Sequence, residues 1–187
     1  REKHRFPNLA CEKISGYHKD RGDEVHLLMD YLFPSDFDLI YISKVFTDTE
    51  VPPLPTDDPR IKIGGTGFFF DQAPDLPDEI EHHMPDYHLY DEWIDAEIKK
   101  AEELAKAQGK TFNLSRFMVQ FKEYTDYSIG FLTRGCFRKC KFCVNQKYDR
   151  VFLHSPLSEF YQSERKKICL LDDNVMGCGQ WKPLMES

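Results

Sequence analysis

The chain has 187 residues, of which 41% are apolar and 14% aromatic, enough to build a buried core and to exclude wholesale disorder. Its net charge of −7 argues against a general nucleic-acid-binding surface, which needs a broad cationic face. No apolar run approaches the roughly 20 residues of a membrane span, so no membrane contact is expected. Six cysteines, three of them close together, favour a reducing compartment, and we expect a cytoplasmic protein.

The first part of the chain alternates helical and extended patterns. Asn8 is a suitable N-cap for a helix over residues 9–19, which Gly22 would end. Short apolar runs predict three strands, at residues 25–28, 38–42 and 61–63. This alternation indicates an α/β layer with parallel strands. Such a layer normally opens with a strand, so we expect the N-terminus to be cut.

Two later segments, the glycine run and a histidine-rich stretch, each allow a structural and a ligand-binding interpretation. The run Gly64-Gly65-Thr66-Gly67 could cradle a phosphate, but it fits no nucleotide motif, and a strand-end turn is favoured. Three histidines, His82, His83 and His88, could bind a metal. Adjacent histidines point in different directions, however, and Pro85 breaks the spacing, so a solvated interdomain connection is favoured.

Residues 91–108 give the clearest helical pattern, with Gly109 as terminator. Ile94 and Ile98 lie on one stripe with two alanines, as in a helix that packs against a core. We predict a packing or bridging helix that carries no chemistry.

The residues from Cys136 to Cys143 carry the strongest chemical signal. Cys136, Cys140 and Cys143 place three soft thiolate ligands on one loop. Three is one fewer than the four ligands of a structural zinc site or of a common cubane iron–sulfur cluster. The motif therefore predicts a metal centre with one open position.

A structural zinc site is the alternative to an open centre. Its fourth ligand would be Cys169, Cys178 or His154. Zinc sites, however, mostly combine two short C-x-x-C pairs, and Cys169 and Cys178 do not form a second pair.

The C-terminal part predicts a strand, the cysteine loop, a helix and a second strand. The strands fall at residues 127–133 and 168–171, and the helix at residues 155–166, with Ser155 as its cap. This order is a βαβ unit, the first step of a βα barrel.

The spacing C-x3-C-x2-C, with Phe142 before the third cysteine, resembles the signature of the radical S-adenosylmethionine superfamily. The preceding strand and the Arg134-Gly135 entry agree with it. The resemblance implies that Cys136, Cys140 and Cys143 hold a [4Fe–4S] cluster whose fourth iron binds S-adenosylmethionine, and that Phe142 lies against the adenine or the cluster. It also implies an electron donor such as flavodoxin or ferredoxin, and reductive cleavage of S-adenosylmethionine to a 5′-deoxyadenosyl radical. The substrate cannot be read from the sequence.

Asp172 and Asp173 follow the second strand, where that superfamily carries an acidic motif that contacts the amino group of S-adenosylmethionine. The glycines of the motif are missing here. Aspartate and asparagine are also common turn residues at strand ends, so both interpretations stay open.

The N-terminal part resembles the cobalamin-binding-like Rossmann domain found ahead of the barrel in many such proteins, including the methylthiotransferase-like group. The resemblance is carried by Lys13-Ile14-Ser15-Gly16-Tyr17-His18-Lys19, by Tyr41-Ile42-Ser43-Lys44-Val45-Phe46-Thr47 and by the glycine run. It implies a Rossmann-like domain over residues 1–88 without its first strand, a bridging segment over 89–123, and the beginning of a partial (βα)6 barrel over 124–187. Cobalamin itself is not expected, because His18 lacks the D-x-H-x-x-G context.

Six βα units need about 200 residues at roughly 30 or more each, and the residues from 124 onward suffice for one unit and a second strand. We therefore expect a fragment of a larger protein that is poorly stable or aggregates by itself, because its sheet would keep an unpaired edge. The alternative function is a non-catalytic fragment or interaction module whose cysteines bind structural zinc.

Overall fold

The computed structural model describes residues 6–29, 37–51, 53, 55 and 57–186. These residues form three two-stranded sheets, of which two are parallel and one is antiparallel, together with a set of helices. The strands are β1 Ile40–Ser43, β2 Ile61–Gly64, β3 Tyr127–Gly130, β4 Thr133–Arg134, β5 Phe152–Leu153 and β6 Lys167–Leu170. The α-helices are α1 Leu9–Asp20, α2 Thr66–Phe69, α3 Asp78–Glu81, α4 Asp91–Ala107, α5 Leu114–Met118, α6 Lys122–Thr125 and α7 Trp181–Glu186. Short 3₁₀ turns lie at Phe70–Gln72, Val119–Phe121, Leu157–Glu159 and Val175–Gly177.

The predicted α/β character of the N-terminal part is confirmed. Helix α1 begins where predicted, because the Asn8 side chain accepts a hydrogen bond from the Cys11 N–H at 3.2 Å. Strands β1 and β2 pair in parallel, with Ile40 opposite Ile61. The glycine run after β2 turns against the end of β1, where the Gly67 N–H donates to the Lys44 carbonyl at 2.8 Å. That contact agrees with the favoured strand-end turn.

The predicted strand at residues 25–28 is wrong. These residues form neither helix nor strand. Leu27 packs its side chain against the aromatic core around α4, while Leu28 is exposed. Leu27 is only partly buried there, and the alternation of a few apolar residues cannot distinguish a strand from an irregular segment that contacts a core.

The two C-terminal strands are confirmed as parallel neighbours. Strand β3 pairs with β6, with Ile129 opposite Cys169, and Ile129 is fully buried. The chain then leaves the sheet, and β4 pairs antiparallel with β5, with Arg134 opposite Phe152. The cysteine loop is the connection between β4 and β5, so it starts and ends at a two-stranded ladder.

The predicted helix at residues 155–166 is wrong. Only the 3₁₀ turn Leu157–Glu159 forms there. Tertiary hydrogen bonds take the backbone groups that a helix would use: the Phe160 carbonyl accepts from the Tyr87 hydroxyl at 2.6 Å, and the Gln162 N–H donates to the Ser128 hydroxyl at 3.0 Å. The Phe160 ring also lies against Gly130, where a Cβ would come within 2.3 Å of the ring. Packing on β3 therefore decided this segment, not helix propensity.

The main hydrophobic core lies between α4 and the segment that leads to β3. Tyr90, just before α4, and Ile94 of α4 pack against Phe121 and Tyr124, and the rings of Tyr90 and Tyr124 meet edge to face at 4.9 Å. Helix α4 is therefore the packing helix that the sequence predicted. In the residues that the structure describes, no helix is both long enough and apolar enough to cross a membrane.

Two buried polar side chains join the segment before α4 to the second sheet. The Tyr87 hydroxyl accepts from the Ile129 N–H at 2.7 Å while it donates to Phe160. The Arg165 guanidinium donates to the carbonyls of Tyr87, Tyr124 and Tyr127 at 2.6–3.0 Å. Since these bonds hold β3 in place, they also fix where the cysteine loop begins.

Candidate metal centre

The loop that carries the three cysteines is entered through a glycine that the geometry requires. Gly135 has φ +84°, and a Cβ there would lie 2.4 Å from the Arg150 carbonyl oxygen. Only glycine combines this backbone conformation with so close an approach. The outgoing and returning ends of the loop are therefore in contact before the first cysteine is reached.

Cys136, Cys140 and Cys143 are partly buried free thiols. Backbone N–H groups of Arg138 and Asn145 donate to the sulfurs of Cys136 and Cys143, each at 3.4 Å. Hydrogen bonds to sulfur are among the contacts by which proteins tune metal–thiolate centres.

A turn and a lysine shape the tip of the loop. The Cys143 N–H donates to the Cys140 carbonyl at 2.9 Å, which folds the C-x-x-C half into a turn. The Lys139 ammonium donates to the carbonyls of Gln146 and Tyr148. Lys139 thus stabilises the fold of the loop through hydrogen bonds within it.

The three sulfurs are not gathered around a common point in this structure. Among the described residues, no group of three or more His, Cys, Asp and Glu side chains lies close enough to hold a metal ion. Ligation by the three cysteines stays a prediction. The donor set itself fits the predicted centre, because it offers three soft, unpaired thiols on one loop, and metal ligands commonly take their final geometry when the ion binds.

The candidate fourth ligands of the zinc alternative are engaged elsewhere. The His154 imidazole lies 2.9 Å from a carboxylate oxygen of Glu81. Cys169 is part of β6, where burial raises the pKa of its thiol, and Cys178 is buried after a 3₁₀ turn. None of the three joins the loop cysteines in a metal-binding group of described residues.

Phe142 is the most exposed aromatic side chain of the loop, at 86% of its surface. Phe137 is half exposed and lies near Gly177 of the chain after β6. A contact between Phe142 and an adenine or a cluster stays a prediction.

Asp172 and Asp173, which the sequence could not distinguish, have different surroundings in the structure. The Asp172 carboxylate accepts hydrogen bonds from the Leu132 N–H at 3.1 Å and from the Thr133 N–H at 2.6 Å, and the Thr133 hydroxyl donates to it as well. Asp172 therefore ties the end of β6 to the start of β4. These bonds favour the structural interpretation of Asp172, and its contact with an amino group stays a prediction.

Asp173 is the more accessible of the two acids. Burial of its carboxyl raises the pKa above its usual value, and the charge of Asp172 adds to this, whereas Arg134 opposes it. Asn174, the next residue, directs its side-chain amide at the Cys136 sulfur, 3.8 Å away. The segment after β6 therefore lies beside the first cysteine, a proximity that chain distance alone does not reveal.

Sequence reasoning missed Glu81, the residue that joins most of this region together. Its Oε1 lies 3.1 Å from the Lys13 ammonium, 3.0 Å from the Arg134 guanidinium and 2.9 Å from the His154 imidazole. Burial by itself would raise the pKa of the Glu81 carboxyl, but the hydrogen bond from His154 and the charges of Lys13 and Arg134 hold it well below its usual range. No local signal could have found Glu81, because its partners come from three distant parts of the chain.

The neighbouring histidines form separate pairs and not a cluster. His82 pairs with Glu159 at 2.7 Å, His83 with Asp20 at 3.3 Å and His88 with Asp91 at 2.8 Å. The predicted solvated connection is right for His82 and His88, which are exposed, and wrong for Pro85 and Tyr87, which are buried.

Comparison with known proteins adds no assignment. The sequence matches no protein-family profile, no curated protein and no solved structure.

Proposed function

We propose that this chain is a radical S-adenosylmethionine protein whose Cys136, Cys140 and Cys143 bind a [4Fe–4S] cluster. The observation that carries the proposal is the C-x3-C-x2-C loop that follows a buried parallel strand within a few residues. In this proposal the two parallel sheets are parts of a Rossmann-like domain over residues 1–88 and of the first step of a partial (βα)6 barrel over residues 124–187.

Each part of the loop has a task in the proposed centre. The three thiols would hold the cluster, and the N–H groups of Arg138 and Asn145 would donate to the ligating sulfurs. When bound, such a cluster supplies the electron that cleaves S-adenosylmethionine to a 5′-deoxyadenosyl radical. The Asp173 carboxylate, which lies after β6 and is exposed, would contact the amino group of S-adenosylmethionine.

The surface around the loop fits an acidic electron donor. Arg138 and Lys141 are exposed beside the three cysteines. Positive charge at such a rim steers a negatively charged partner and raises the rate of association. A flavodoxin or ferredoxin is the class of donor that we propose.

Anaerobic reconstitution with iron and sulfide tests the proposal directly. We expect close to four iron and four sulfide per chain, a paramagnetic resonance signal from the reduced protein, and deoxyadenosine after addition of dithionite and S-adenosylmethionine. The Cys140→Ser variant should lose the cluster, whereas Cys169→Ser, the matched control in β6, should keep it. Purified protein that holds zinc and forms no reducible cluster would reject the proposal in favour of a structural site.

A further inference from the structure

Both ends of the cysteine loop contact the same carboxylate oxygen. Arg134 is the last residue of β4, and His154 directly follows β5. Their side chains lie 3.0 Å and 2.9 Å from Glu81 Oε1. All three cysteines lie between these two contacts, so one atom bridges the base of the loop.

The bridging carboxylate belongs to another part of the chain and is itself anchored. Glu81 is the last residue of α3, and the Lys13 ammonium of α1 donates both to its carbonyl and to its Oε1. The side chains of Lys13, Glu81 and His154 are 5%, 15% and 13% exposed. Charged contacts this deeply buried are screened less by water and salt than surface pairs are.

Arg134 is held from two sides. Its guanidinium carbon lies 3.5 Å from the centroid of the Phe131 ring, and its Nη2 lies 3.0 Å from Glu81 Oε1. One residue, Gly135, separates Arg134 from Cys136. A displacement of the Arg134 backbone would therefore move the first cysteine with it.

We propose that Glu81 is a positioning residue for the metal centre. Through Arg134 and His154 it holds the two ends of the cysteine loop together, and it thereby limits how the three thiols approach a cluster. The effect on a cluster rests on the proposed function, whereas the effect on the loop does not.

The first test measures the loop in reduced, metal-free full-length protein. In Glu81→Gln, we expect alkylation of Cys136, Cys140 and Cys143, resolved by mass spectrometry, to become about three- to tenfold faster as the base opens. Cys169, which lies in β6 opposite Ile129, serves as the internal reporter of general unfolding and should react at the wild-type rate. Glu79→Gln, on the same helix, is the matched control, since Glu79 contacts only the Tyr17 hydroxyl in the hydrogen bonds that the structure describes.

A second variant decides the matter if the first one unfolds. Arg134→Gln removes one of the two contacts between the loop and Glu81 but leaves the pair of Lys13 and Glu81 intact. We expect faster alkylation of the three loop cysteines here too, and near wild-type rates in Arg134→Lys, which restores the charge. Unchanged rates in Arg134→Gln would overturn the proposal.

The reconstituted protein separates this inference from the proposed function. We expect a chelator to remove iron several-fold faster from Glu81→Gln and Arg134→Gln than from the wild type. If the wild type forms no cluster, the function is rejected and the alkylation rates still test the bridge. If the cluster forms and both variants match the wild type in alkylation and in iron release, the bridge is rejected and the function stands.

Discussion

The base and the tip of the cysteine loop differ in what holds them. At the base, β4 and β5 form a ladder, Asp172 accepts three hydrogen bonds, and Glu81 bridges Arg134 and His154. At the tip, the cysteines lie on irregular backbone and Phe142 is exposed. The contacts that hold the loop thus lie at its base, next to the segment that carries the three candidate ligands.

The largest effect on stability should come from Arg165, which supports β3. Arg165→Met removes a buried guanidinium from three carbonyls, and we expect it to lower the free energy of unfolding by about 3–5 kcal/mol. Urea denaturation followed by circular dichroism measures this. Lys166→Met, at the exposed neighbouring position, should change it by less than about 0.5 kcal/mol. Equal effects of the two variants would mean that Arg165 does not support the base.

A smaller loss is expected at the base itself. In Asp172→Asn, one of the two carboxylate oxygens that accept from Leu132 and Thr133 is replaced by an amide N–H₂, which cannot accept. We expect this to lower the free energy of unfolding by about 1–3 kcal/mol in the same denaturation experiment. Asp173→Asn, one residue on and exposed, is the control and should be nearly neutral in stability. If Asp172→Asn is neutral while Asp173→Asn destabilises, our division of tasks between the two acids is reversed.

Glu12 extends the comparison, because its carboxylate is more deeply buried than that of Glu81 but has no hydrogen-bond partner among the described residues. It is 1% exposed, and within the described part of the chain neither carboxylate oxygen has a hydrogen-bond partner. Burial raises the pKa of Glu12 from 4.5 to about 8, with Arg165 opposing and Asp86 adding to the shift. Between these two pH values the folded state binds more protons than the unfolded state, so the Glu12 contribution makes stability fall as pH rises.

Glu12→Gln should remove that pH dependence. We expect the melting temperature to rise at pH 8, by about 2–4 °C for each kcal/mol recovered, and to change little near pH 4.5. Thermal melts at both pH values measure it, with the exposed Glu24→Gln as control. A variant that is less stable than the wild type at pH 8 would show that the ionised carboxylate is stabilised in the fold.

The smallest effect on stability should come from the tip. Phe142→Ala removes a side chain that is 86% exposed, so the free energy of unfolding of metal-free protein should change by less than about 0.5 kcal/mol. The reconstituted variant should differ from the wild type in its paramagnetic resonance spectrum, because Phe142 is the predicted aromatic neighbour of the cluster or adenine. A loss of more than about 1 kcal/mol in the metal-free protein would place the tip among the supporting contacts.

Local patterns in the sequence were sufficient for several elements. The Asn8 cap, the stripe of α4 and the apolar runs of β1, β2, β3 and β6 are all read within one turn or one strand. The helix predicted at residues 155–166 failed because Tyr87 and Ser128, distant in the chain, take the backbone groups of Phe160 and Gln162. The strand predicted at residues 25–28 failed, and none of the strands in the described part of the chain pairs with it.

The sequence by itself determined the donor set, since the identity and spacing of Cys136, Cys140 and Cys143 are local properties that need no folding to be read. Only the tertiary structure decided what supports that loop. Lys13, Glu81, Arg134 and His154 meet because α1, α3 and the β4–β5 ladder pack together, and Asp172 reaches Thr133 because β6 runs beside β3. Contacts between residues this far apart follow from how the elements pack, and packing is the one property that no window along the sequence contains.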